Sequence, residues 1–223
     1  VLLRLRASFG SSYRYSIDGM IGASPELLVA VCGSEISSHP LAGTAPRTGD
    51  PETDRRLALS LLQSEKNQIE HRVVIDMVHD TLLPWCSYLD WEPEPSIVAV
   101  ANVQHLGTQI NGRLSQPTPS VLDLVYALSP TPALGGHPRT EALQLIAEVE
   151  GFDRGRYGGA VGWVDARGNG TWAVTIRCAE LSASATSARL FAGGGIVADS
   201  EPLAELAETQ AKFQAMLAAL IRP

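Results

Sequence analysis

The sequence predicts an α+β protein in which runs of strands are separated by helices. Three observations point there. Short segments with apolar residues at every second position recur between glycines. Longer segments with helical apolar spacing are few. The two kinds do not follow the regular strand–helix–strand order of a parallel sheet. The 223 residues suffice for one sizeable core. A hydrophobic share of 45% against 18% charged residues is that of a globular chain.

In chain order, Val1 to Ser8 alternates apolar and basic residues in Leu3-Arg4-Leu5-Arg6 and is expected to form a strand. Tyr13 to Ile17 and Leu27 to Val31 are further strands, punctuated by Gly19 and Gly33. Asp50-Pro51 starts a helix with acidic residues in its first turn. That helix is expected from Glu52 to about Leu83, with Leu62, Ile69, Val73 and Met77 on its apolar stripe and Pro84 as its stop. Strands follow at Ser96 to Asn102 and Leu106 to Leu114, then helices near Ser120 to Leu128 and Arg139 to Glu150. Tyr157 to Val164 and Thr171 to Ala179 flank Ala166-Arg167-Gly168-Asn169-Gly170, a hairpin turn. Arg189 to Ala192 is one more strand before Gly193-Gly194-Gly195. A last helix runs from Ser200 to about Ile221, with Leu203, Leu206, Phe213, Leu217 and Leu220 as its apolar face.

The net charge of −7, with no cluster of lysine and arginine, argues against nucleic acid and anionic membranes as partners. It leaves room for a small anionic ligand, because a few local cations or a metal reverse the field inside one cleft. No apolar run approaches the length of a bilayer span, and no leader pattern is visible, so a cytoplasmic location is the expectation. The three cysteines, Cys32, Cys86 and Cys178, are widely spaced and suggest buried reduced thiols.

Several residues invite a chemical reading. Glu205, Glu208 and Lys212 lie three and four apart on the last helix and so share one stripe. Spacing alone leaves open a charged cleft or a solvated face of helical ion pairs. Glu70-His71 sits beside the apolar stripe of the long helix, where a carboxylate can bind a hard cation or simply face water. The triple glycine is either a tight turn or a backbone that offers N–H groups to an anion. Glu26, after a glycine-containing turn, is either an exposed loop carboxylate or a general acid raised in pKa by burial. No zinc spacing, Walker loop, GxGxxG or GxSxG motif is present.

In combination and in this order, these segments resemble the chorismate-utilising enzymes, the family of isochorismate, salicylate, anthranilate and aminodeoxychorismate synthases. The resemblance is carried by GASPELLV (22–29), HPLAGTAPR (39–47), SEKNQIEHRVVID (64–76), NVQHLGTQINGRL (102–114), PTPALGGHPR (130–139), FDRGRYGGAVGW (152–163), WAVTIRCAEL (172–181) and LFAGGGIVADSEPLAELAETQAKF (190–213). It implies the C-terminal portion of the family's two-layered, anthranilate synthase component I-like fold, antiparallel sheets with helices outside, over residues 1–223 as part of a single catalytic domain.

The resemblance also assigns roles. Glu70 and Glu208 fall on the family's magnesium ligands, and Glu205 on an acidic position that holds a metal-bound water. Glu26 falls on the general acid, and His105 on an active-site histidine whose role differs among members. Tyr157, Arg177 and Lys212 fall on groups that hold the substrate carboxylates, helped by the backbone N–H of Gly193, with Gly43 and Thr44 beside the ring carboxylate. The implied cofactor is Mg2+ and the implied substrate chorismate. The segments PTPALGG, GAVGW and WAVTIRCA are most similar to isochorismate synthase, where water attacks C2 as the C4 hydroxyl leaves. Salicylate synthase and an anthranilate or aminodeoxychorismate synthase component are the alternatives. The family's general-base lysine lies upstream of GASPE, ahead of this chain's first residue. Neither Lys66, expected to face solvent or the helix surface, nor Lys212 matches it. Residues 1–223 alone are therefore expected to be inactive, and to self-associate or to pair with the amino-terminal segment. Asn67 stands where many relatives carry an acid.

Overall fold

The computed structural model describes residues 1–221. The chain opens with helix α1 (Leu2–Ser8), followed by strands β1 (Tyr13–Ile17), β2 (Met20–Ser24), β3 (Leu27–Cys32), β4 (Glu35–His39) and β5 (Leu41–Pro46). Helices α2 (Pro51–Gln63) and α3 (Glu65–Leu82) lead through a short 3-10 turn into β6 (Cys86–Trp91), β7 (Ser96–Ala99), β8 (Val103–Gly107) and β9 (Ile110–Leu114). Helices α4 (Val121–Leu128), α5 (Pro132–Gly135) and α6 (Arg139–Val149) precede β10 (Ala160–Val164), β11 (Gly170–Val174), β12 (Cys178–Leu181) and β13 (Ala188–Phe191). Helix α7 (Pro202–Ile221) is the last element.

The strands form three sheets, ordered β1-β2-β12-β13, β10-β11-β3-β4-β9-β6 and β5-β8-β7. Every pairing is antiparallel. The expected α+β class therefore holds. The six-stranded sheet packs Leu28, Val29, Val31, Ile36, Ile110 and Leu114 against Val74, Ile75, Val78 and Leu82 of α3 and Val121, Leu124 and Leu128 of α4. The four-stranded sheet offers Ile21, Ala23 and Ala179 to Leu5 of α1 and to Met216 and Ala219 of α7. Helix α2 covers the small sheet through Leu61 against Ala45 and Leu106.

The chain changes sheets four times with almost no connecting residues. Pro25-Glu26 joins β2 to β3, Pro40 joins β4 to β5, Thr108-Gln109 joins β8 to β9, and Thr175-Ile176-Arg177 joins β11 to β12. Two of these corners carry a functional candidate, Glu26 and Arg177. Arg177 has φ +51, in the left-handed region that a branched side chain seldom occupies. Its carbonyl accepts a hydrogen bond from the Ala23 amide at 3.1 Å.

Several expectations need correction. Leu2 to Ser8 is helical, because about two turns need only one anchor and Leu5 alone of these residues is buried. The helix from Glu52 is two helices. Ser64 has extended ψ 112, ends α2, and caps α3 by accepting from the Asn67 amide. The buried stripe of α3 is His71, Val74, Ile75, Val78 and Leu82, so Ile69 is left half exposed. Leu106 to Leu114 is split between two sheets at Thr108, and the strand from Ser96 stops at Ala99. The segment from Thr171 to Ala179 is likewise cut at the Arg177 corner, and the hairpin strand expected from Tyr157 begins at Ala160. On α7 the expected apolar face is inverted at its start: Leu203 is 82% exposed and Leu206 53%, while Glu205 and Lys212 are buried. Cys32 is exposed rather than buried. No helix is long and apolar enough to cross a membrane among the described residues.

Leu82 is fully buried where α3 meets the six-stranded sheet. Leu82→Ala is expected to cost about 2–5 kcal/mol in urea unfolding, with the slope unchanged. A loss below about 1 kcal/mol would mean that α3 is not clamped to the sheet as described.

Candidate active site

The corners, the small sheet, α3 and α7 converge on one cleft of ≈ 540 Å³, counted out to its open mouth. Its lining includes Glu26, Gly43, Thr44, Glu70, His105, Tyr157, Arg177, Gly193 and Lys212. Each of these was a candidate from the sequence. Glu205 and Glu208 stand at its edge. The Cβ of a residue at Gly194 would lie 3.1 Å from Glu205 Oε2 and 3.1 Å from Glu208 Oε1. At Gly195 it would overlap Glu70 Oε1. The triple glycine thus leaves its backbone bare where three carboxylates approach.

Glu26 is 2% exposed, and its Oε1 has no hydrogen-bond partner among the described residues. Burial pushes its pKa up to about 7, against the lowering pull of the Leu41 amide, Arg177 and Lys212. A carboxylic acid that keeps its proton near neutrality is what general-acid chemistry needs.

His105 and Thr44 are register partners in β8 and β5. Between Ala42 and Thr44 the register shifts, and Gly43 takes φ +67 to make the bulge. Asn67 packs against that bulge, with its Oδ1 3.0 Å from where a Gly43 Cβ would stand. The bulge turns the Gly43 carbonyl onto His105 Nδ1 at 3.0 Å, with Thr44 Oγ1 at 3.2 Å. The other ring nitrogen, Nε2, faces Arg177 Nη2 at 2.8 Å. A guanidinium only donates, so Nε2 must accept, which leaves the proton on Nδ1 to be donated to the Gly43 carbonyl. Burial, then Arg177 and Lys212, hold the His105 pKa well below its ordinary value. The imidazole is therefore neutral and aims Arg177.

Arg177 is 8% exposed and Lys212 8% exposed. Lys212 donates to the Gly193 carbonyl at 2.9 Å and pairs with Glu208. Burial lowers its pKa, opposed by Glu208 and Glu70. Tyr157 stacks on Phe191 at 5.2 Å between ring centroids, with the Arg154 guanidinium 5.7 Å from its own. Burial raises its pKa, so the hydroxyl stays a donor. The apolar wall comes from Ala133 and Leu134 of α5 and from Ile176, which sequence reasoning had not singled out.

Lys66, expected to face solvent or the helix surface, is only partly exposed and pairs with Glu205 of α7. Burial raises the pKa of Glu205, but the Lys66 and Ser200 hydrogen bonds outweigh it and hold the carboxyl below its ordinary value. Burial, and then repulsion by Glu208, raise the pKa of Glu70. Among the described residues no three His, Cys, Asp or Glu side chains are closed around one point as a ligand set. The donor chemistry still fits a hard divalent cation: carboxylate oxygens from two helices approach one bare glycine backbone, and Glu208 repels Glu70.

The cleft is thus built at sheet corners around one buried acid, an aimed guanidinium and an acidic cluster. The sequence profile of the chorismate binding enzyme family matches residues 1–221, and the chain belongs to that family. Isochorismate synthase DhbC of Bacillus subtilis is 48% identical over 201 residues, covering 90% of this chain and 50% of its own. A crystal structure of a DhbC from Bacillus anthracis superposes with TM-score 0.92 at 44% identity, covering 98% of this chain and 60% of that one. Anthranilate synthase component I of Streptococcus pneumoniae superposes with TM-score 0.80 at 32% identity, covering 96% and 48%. The chain spans about half to three-fifths of the length of the curated relatives it matches.

The His105 tautomer is directly measurable. Nitrogen NMR of the labelled protein is expected to show a neutral ring with its proton on Nδ1 that does not titrate between about pH 5 and 8. An imidazolium signal in that range would contradict the acceptor role toward Arg177.

Proposed function

We propose that the whole protein is an isochorismate synthase that converts chorismate to isochorismate with magnesium. The observation that carries the reading is the meeting, in one cleft, of a buried Glu26 raised in pKa, the Arg177 guanidinium, and the Glu70 and Glu208 carboxylates with Lys212 between the last of these and the Gly193 carbonyl. Support for this member of the family comes from PTPALGG, whose Ala133 and Leu134 line the cleft, and from the 48% identity to a named isochorismate synthase.

Chorismate is a dianion. The Arg177 guanidinium, held by His105, meets one carboxylate in a planar two-point contact, with Tyr157 donating beside it. Lys212 and the Gly193 backbone flank the same end. Glu70 and Glu208, with Glu205 beside them, are the residues that would hold magnesium, and the ion would supply positive charge against the ring carboxylate. Glu26 donates its proton to the departing C4 hydroxyl while water adds at C2. Both lysines of the chain are engaged in ion pairs, so neither is the base that activates this water. That role is assigned, in the whole protein, to the lysine that the family carries upstream.

Chromatography of whole protein incubated with chorismate and magnesium is expected to show isochorismate. Salicylate, or an aminated product when ammonia is supplied, would overturn the assignment. The same protein should lose kcat/KM as pH rises through about 7, because Glu26 is raised in pKa and acts only while protonated. Glu26→Gln should lower kcat by about 10²–10⁴-fold. Arg177→Lys should raise KM more than it lowers kcat, since charge is kept and the fork is lost. Unchanged kinetics in Arg177→Lys would make Arg177 a structural residue.

A further inference from the structure

Lys66 enters the acidic cluster from α3, one turn ahead of Glu70. Its ammonium group pairs with Glu205 across a gap of 139 residues in sequence. The pair is largely shielded, with side-chain exposures of 26% for Lys66 and 11% for Glu205. Lys212 engages Glu208 in the same way. Two of the three carboxylates are therefore turned onto protein ammonium groups, although all three crowd the backbone of Gly194 and Gly195.

The two lysines are not equivalent. Lys212 lines the cleft and is tied to the Gly193 carbonyl as well as to Glu208. Lys66 does not line the cleft, and Glu205 is its one side-chain partner among the described hydrogen bonds. Holding a flexible lysine in one geometry costs side-chain entropy, and a partly exposed pair recovers little of it. A device of that kind contributes little to stability. It contributes charge at one spot.

We propose that Lys66 is a resident counter-ion that competes with the divalent cation for Glu205, so that this lysine sets the cation concentration at which the site fills. The inference rests on the magnesium reading above and adds a residue that the reading does not use. With Lys66 in place, a cation arriving between the helices meets a cluster already partly neutralised. It gains Glu205 only as the lysine gives it up. Without Lys66, the cluster is more negative by one charge and attracts the cation more strongly. A lysine that merely propped Glu205 in position would behave in the opposite way. Its loss would let Glu205 swing free and weaken cation binding. The sign of the change separates the two.

The experiment uses purified protein without substrate, titrated with Mg2+ by calorimetry and with Mn2+ by electron paramagnetic resonance of the free ion. Lys66→Met is expected to bind both ions about 3- to 30-fold more tightly than the natural protein, and Lys66→Arg within about twofold of it. Lys66→Gln gives the same comparison if the methionine variant fails to fold. The cation-induced rise in melting temperature should be larger in either neutral variant than in the natural protein. Equal or weaker binding in the neutral variants, alongside natural-protein binding that Glu70→Gln abolishes, would overturn the role of Lys66 and leave the metal site standing. Absence of cation uptake by the natural protein and the neutral variants alike would overturn both.

Discussion

The crowding of Glu70, Glu205 and Glu208 against one glycine backbone, with Glu208 repelling Glu70, is the constraint around which the rest of the cleft is arranged. Three carboxylates converge where α3 and α7 meet a bare glycine backbone, and Glu70 is already raised in pKa by burial and by Glu208. Such a cluster persists only with positive charge close by. The protein supplies two ammonium groups, Lys66 and Lys212, each paired with one carboxylate. A third cation, the guanidinium of Arg177, is aimed into the same cleft by His105. The cleft thus brings acidic and basic groups together within one lining. On the proposed reading, a ligand with two carboxylates would enter it with a divalent cation covering one of them.

Sheet switching brings these groups together. Glu26 and Arg177 occupy corners where the chain leaves one sheet for another, and each corner is tied by a main-chain hydrogen bond, from the Val174 amide to the Glu26 carbonyl and from the Ala23 amide to the Arg177 carbonyl. The Gly43 bulge does the same for His105 by presenting a carbonyl to its Nδ1. Groups held this way lose little entropy on meeting a ligand. Their cost appears as local strain at Arg177, with its positive φ, and as the unpartnered Oε1 of Glu26.

Much of this was legible in the sequence, for identifiable reasons. The glycine-rich hairpin and the Ser120 helix start are local signals, and the structure keeps both, the latter as a capping box with Asp123. The family motifs named each lining residue that is polar. What stayed hidden is non-local. Spacing placed Glu205, Glu208 and Lys212 on one stripe of α7 but could not say which way it turns. Apolar patterning pointed Leu203 and Leu206 inward, whereas ion pairing to residues on α3 and within α7 draws the charged stripe in. The partner of Lys66 could not be read from the sequence because it lies 139 residues away. The first helix was mistaken for a strand because alternation over so few residues carries no length information, and only Leu5 decides it.

The central claim is that cation and substrate dianion complete one charge balance in this cleft. The most direct test measures the affinity of Mg2+ for the Glu26→Gln protein, in which turnover is suppressed, with and without saturating chorismate, and the affinity for chorismate with and without Mg2+. The account predicts that each ligand tightens the other by the same factor, at least about tenfold, as linkage requires of two ligands that share one site. Independent binding of the two would contradict it.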